Sequence, residues 1–208
     1  MELHSDSFSD GGAIPGELAF AVIDPSTHVA LSKNRNPHLA WSDTPAVARS
    51  FALICHDYDV PSRGDDVNKE GREIPSSLPR VDFFHWLLLD IPPAMREIAA
   101  GSHSEGVVAR GKPGPKAPGG LRHGINDYTG WFASDPNMTG NYYGYDGPCP
   151  PWNDSIIHHY VFTLYALDTP HLDVKGELIG ANVRAALAGH VLAQSHLTGT
   201  YTLNPRLR

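Results

Sequence analysis

Three eleven-residue runs constrain this chain more than any other feature: SFALICHDYDV (50–60), VDFFHWLLLDI (81–91) and HHYVFTLYALD (158–168). Each is apolar on both alternating faces and is stopped by Pro, Asp or Gly, the pattern of a strand buried on both sides. Strands of that kind need cover above and below, from a second sheet or from helices. ELAFAVID (17–24) reads as a fourth strand and GTYTL (199–203) as the last. Positions Val183, Ala186, Leu187, His190 and Val191 recur at helical spacing, which predicts one inward-facing helix over 181–194. The expected fold class is therefore mostly β, a sandwich with few helices. The 18 Pro and 20 Gly fit a turn-rich chain. The segment 101–130 is too rich in them to be regular, and a loop of that length is usually functional or mobile. With no internal repeat and no linker, a single domain over 1–208 is expected.

Charge and patterning remove several function classes. The formal net charge is −7 and no block of Lys or Arg occurs, so nothing supplies the counterion release that drives nucleic-acid binding. The longest apolar runs, FALIC and FFHWLLL, fall far short of the ~20 residues that span a bilayer. MELHSDSFSDGG is polar and acidic where a signal peptide needs a basic start and an apolar segment. A cytoplasmic protein without a transmembrane segment is the expectation, with Cys55 and Cys149 both reduced.

Residues two apart in a strand share a face. Phe51, Leu53, Cys55, Asp57 and Asp59 therefore form one row, His85 joins Phe83, Leu87 and Leu89, and His158 joins Tyr160, Phe162 and Leu164. Each strand carries one titratable group into its apolar row beside a turn. A lone strand histidine is usually a satisfied core residue, and an Asp before a turn is usually a turn former; the signal is the conjunction of three. The turn GPCPP (147–151) adds a stiff wall, since proline fixes φ and removes donors, while Gly147 lets backbone approach a ligand.

In this order, NPHLAW (36–41), DYDVPS (57–62), FHWLLLDIP (84–92), GPCPP (147–151) and HHYVFTLYAL (158–167) resemble the phosphatidylethanolamine-binding protein family, also called Raf-kinase-inhibitor-like proteins. GPCPPW and GINDY are similar to its bacterial branch. The resemblance implies a β-sandwich of one large and one small sheet with short helices, enclosing a small anion pocket. It places Asp57, His85, Gly147, Pro148 and His158 at that pocket, with Asp59, Phe83, Cys149 and Pro150 as walls. It also implies a homodimer and, for eukaryotic members, a regulatory protein partner. The segment 131–145 stands where it can line or lid the pocket.

The expected function is binding of a small anion or phosphate-like headgroup, without a cofactor or metal, by a protein able to act as a signalling scaffold. Two imidazoles oriented by Asp57 would hold the anion, with affinity rising as pH falls through the ordinary His range near ~6.5. The alternative is a hydrolase-like enzyme, using Cys149 as nucleophile or a metal held by Asp57, His85 and His158. Against it, no HxH or HExxH spacing occurs, and a Cys between prolines lacks the helix N-terminus that often lowers its pKa.

Overall fold

The computed structural model describes residues 1–208. The three diagnostic runs become three long neighbouring strands, β5 (Ser50–Pro61), β6 (Arg80–Ile91) and β9 (His158–Leu167). Five shorter strands precede or separate them: β1 (Glu2–His4), β2 (Ala21–Asp24), β3 (His28–Leu31), β4 (Leu39–Ser42) and β7 (Glu97–Ile98). With β8 (Arg122–His123) and β10 (Val191–Tyr201), the long strands build an antiparallel sheet in the order β10-β9-β5-β6-β8. A second sheet runs β1-β4-β7, and β2 with β3 forms a hairpin.

Both faces of β5 are buried because both are covered. Phe51, Leu53 and Cys55 share the main core with Leu3, Leu39, Trp41 and Ile98 of the small sheet, which makes the two sheets a sandwich. Ala52 and Ile54 face the other way, onto Leu87, Leu89, Val183 and Leu187. Val183 and Leu187 belong to helix α2 (Gly180–Leu187), whose Arg184 guanidinium also lies 4.5 Å over the Phe84 ring. Short helix α1 (Tyr128–Trp131) sits beside the main core. No helix is long and apolar enough to cross a membrane.

The helix expected over 181–194 ends at Leu187. Gly189 takes φ +84, a left-handed conformation that stops helices at glycine, and strand β10 begins two residues later. His190 and Val191 are therefore exposed instead of facing inward. The final strand is correspondingly longer than GTYTL, because β10 pairs with β9 from Val191↔Leu167 to Tyr201↔His158. The strand expected over 17–24 is cut at its start, where Gly16–Leu18 form a single 3₁₀ turn. The long Gly/Pro-rich segment is mostly irregular, apart from a short 3₁₀ turn, β8 and the start of α1.

Candidate functional site

The deep end of a cavity is laid out by strand register. Phe83, Asp57 and Tyr160 are paired side by side across β6, β5 and β9, so the three side chains share one face. His85 arrives there through an irregularity. Cys55 pairs with Trp86 while His56 pairs with Phe84, leaving His85 as the extra residue of a β-bulge, a device that re-aims a side chain. The bulge breaks the expected row: His85 lies on the cavity side with Phe83, whereas Leu87 and Leu89 pack on the opposite face of the sheet. His158, the first residue of β9, completes the group.

Asp57, His85, Tyr160 and His158 line one cavity of about 240 Å³. Phe83, Cys149, Pro150 and Pro151 form one wall, and Phe20, Val29, Val60 and Phe132 contribute further apolar surface. Leu31 and Trp131, 67% and 51% exposed, stand at its mouth. From the segment 131–145, Trp131 and Phe132 reach the cavity, while Tyr142 and Tyr145 are buried in the core.

Three expected site residues lie off the cavity. Gly147 is needed for a protein contact: a Cβ there would stand 2.1 Å from the Leu18 carbonyl oxygen. Its own carbonyl accepts from Tyr128 Oη at 2.8 Å. Pro148 accepts from Phe20 N at 2.9 Å, so the start of this turn is stitched to the preceding chain and lies off the cavity. Asp59 accepts from the backbone N–H and Nδ1 of His159, at 2.9 and 2.8 Å.

The polar groups divide into engaged and free. Asp57 accepts from Asp59 N at 2.7 Å and from His158 Nδ1 at 2.7 Å. His158 Nε2 is given to Asp154 at 3.1 Å, and Asp154 is held by Arg80 through Nη1 at 2.6 Å and Nη2 at 3.0 Å. Burial alone would lower the pKa of His158. The hydrogen bonds and charges of Asp154 and Asp57 outweigh it and raise the imidazole to about 9. His158 is thus an imidazolium at neutral pH with both N–H groups committed. It offers no ring nitrogen to a ligand, and the row Asp57, His158, Asp154, Arg80 carries balanced charge.

His85 has the opposite character. Burial, only partly opposed by Asp57 and by the Asp146 carbonyl, lowers its pKa. Its Nδ1–H donates to that carbonyl at 2.7 Å, which leaves Nε2 as an acceptor without a protein partner. The expected anion clamp of two protonated imidazoles is therefore replaced by one saturated imidazolium and one neutral imidazole. Tyr160 is 1% exposed, and its hydroxyl has no hydrogen-bond partner. Burial raises its pKa well above the usual phenol value, so it stays a donor.

A second buried cluster supports His85 from behind. Asp146, fully buried, accepts from Asn34 Nδ2 at 2.7 Å, Asn126 Nδ2 at 2.8 Å and Lys112 Nζ at 2.9 Å. Its backbone N–H also donates to the His85 carbonyl at 3.1 Å, so Asp146 grips His85 at both ring and backbone. Tyr160 shares the alternating row of His158 and was legible from spacing. Asp154, Arg80, Lys112 and Asp146 carry no local signal of their pairing.

Comparison with known proteins agrees with this architecture. The family model for phosphatidylethanolamine-binding protein matches residues 4–202. A UPF0098 protein of Methanothermobacter thermautotrophicus is 32% identical over 201 residues, covering 97% of this chain and 98% of the relative. The UPF0098 protein YbhB of Escherichia coli is 28% identical over 202 residues, covering 97% and 100%. The crystal structure of a phosphatidylethanolamine-binding protein homologue from Chlamydia trachomatis superposes with a TM-score of 0.62 at 26% identity, over 96% of this chain and 95% of that one.

Proposed function

Because the chain belongs to the phosphatidylethanolamine-binding protein family, we propose that it is a binding protein whose cavity seats a compact phosphate-like group at the deep polar end. Any apolar portion of the ligand lies along the walls towards Leu31 and Trp131. The observation that carries this reading is the Tyr160 hydroxyl, buried without a partner in a cavity that also holds Asp57 and the unpartnered Nε2 of His85. A buried polar group left unpaired is costly. That hydroxyl, beside an Asp57 carboxylate with acceptor capacity to spare and the free Nε2 of His85 in an apolar cavity, is the arrangement expected of a ligand site.

The same geometry argues for binding over catalysis. Burial pushes the Cys149 thiol up to about 12, the reverse of what a nucleophile requires. Asp57, His85 and His158 are poorly suited as metal ligands because both nitrogens of His158 are spent on carboxylates. Calorimetric titration with methyl phosphate tests the reading. Tyr160→Phe and His85→Ala are each expected to weaken binding by about 1–3 kcal/mol, the range for losing a hydrogen bond to a charged group. Unchanged affinity in both variants would place the ligand elsewhere.

A further inference from the structure

Resting on the binding role just given, we propose that the cavity selects oxyanions that still carry a proton, inorganic phosphate or a phosphomonoester, over proton-free oxyanions such as sulfate or a phosphodiester. The reason is the sign of the free polar groups. Each oxygen of the Asp57 carboxylate takes one protein hydrogen bond, from Asp59 N and from His158 Nδ1, so each keeps a lone pair. His85 presents Nε2 as an acceptor, because its Nδ1–H is fixed on the Asp146 carbonyl. Beside these acceptors stands the unpartnered Tyr160 hydroxyl as a donor; the other free side-chain N–H groups of the lining, the Asn68 amide and the Trp131 indole, belong to exposed residues.

The positive groups close by do not alter this balance. The imidazolium of His158 lies between two carboxylates, and Arg80 is held on Asp154. Tyr128 donates its hydroxyl to Gly147 O. Lys112 lies behind His85 on the buried carboxylate of Asp146. No uncommitted cation faces the ligand. A bare oxyanion would bring lone pairs against the lone pairs of Asp57 and His85, and both sides would lose water without gaining a bond. A phosphate bearing P–OH donates to Asp57 or His85 while another oxygen accepts from Tyr160, which removes a lone-pair conflict that a bare oxyanion leaves in place. Discrimination then comes from unpaired polar groups and not from size, the mode that gives the larger selectivity.

The test is competitive calorimetry at pH 5.5 with methyl phosphate, inorganic phosphate, sulfate and dimethyl phosphate. Methyl phosphate and inorganic phosphate are expected to bind at least tenfold more tightly than sulfate and dimethyl phosphate. In wild-type protein, methyl phosphate affinity should fall about tenfold per pH unit above the ligand's own second pKa of ~6. In Asp57→Asn, which offers an amide donor in place of a carboxylate, sulfate should gain and the ratio should shrink to within threefold. The wild-type pH series needs no variant, so it decides the question even if Asp57→Asn does not fold. Sulfate and dimethyl phosphate binding as tightly as methyl phosphate would overturn the selectivity and leave the binding role standing. No binding by any of the four would remove both.

Discussion

Two buried carboxylates, Asp57 and Asp146, stand on either side of His85 and show how one kind of group serves two ends. Asp146, fully buried, is closed off: two asparagine amides and Lys112 donate to it, it lines no cavity, and it reaches His85 only through its backbone. Asp57, 1% exposed, is left open: a backbone N–H and an imidazolium satisfy part of it, and the remainder faces a cavity. The first arrangement ties chain segments together; the second leaves acceptor capacity at a cavity. The difference lies in the partner. A lysine with two amides encloses Asp146 in protein, whereas His158, shared with Asp154, neutralises Asp57 without covering it.

The contrast is broken most forcefully at Asp146. Asp146→Ala strands the Lys112 ammonium and two amides in the interior, and is expected to cost about 3–5 kcal/mol, the range for removing one partner of a buried pair. Urea unfolding measures it, and a loss under 1 kcal/mol would mean that the cluster is not structural. Next in size is a pH effect at the open side. The pKa of His158 is raised to about 9 from an unfolded value near ~6.5. Its contribution is complete below the unfolded value and is lost as pH rises through the folded one. Stability should therefore fall between pH ~6.5 and ~9 by roughly 2–3 kcal/mol. His158→Asn should flatten that slope; a wild-type curve level across the window would contradict the charged row.

Asp57→Asn sharpens the comparison further. Removing the charge from the open carboxylate leaves His158 with Asp154 and Arg80, so the variant is expected to unfold within about 1 kcal/mol of wild type. Destabilisation as large as in Asp146→Ala would erase the distinction between the two sites. The smallest effect is expected at Cys149. The wall is shaped by Pro150 and Pro151 beside it, and burial holds the thiol in its neutral form. Methyl phosphate affinity in Cys149→Ser should stay within about threefold of wild type, since a thiol is at most a weak hydrogen-bond partner.

Much of the open site was legible because it is written in strand alternation. Asp57 and His158 interrupt apolar rows of period two, and the structure brings them with His85 around one cavity. The bulge at His85 was not legible: it adds a residue without changing the apolar character of either face, so Leu87 and Leu89 read as its neighbours when they lie behind it. The end of α2 was hidden for a related reason. Apolar positions continue past Gly189, and only the glycine's left-handed backbone marks where the helix gives way to β10. The charged partners behind both carboxylates left no trace at all. Arg80 and Asp154 meet across 74 positions of chain, and Lys112 reaches Asp146 from a loop whose composition announces only irregularity. Pairings of that kind depend on tertiary position, and periodicity carries no record of them.

The central claim is that His158 holds charge while His85 meets the ligand, and the ring nitrogens report on it directly. Long-range ¹H–¹⁵N NMR of the histidine side chains at pH 7.5, before and after adding methyl phosphate, tests it. The free protein is expected to show His158 protonated on both nitrogens and His85 protonated on Nδ1 only, with ligand moving the Nε2 signal of His85 and leaving His158 unchanged. A neutral His158 in the free protein, or ligand shifts at His158 with none at His85, would contradict the account.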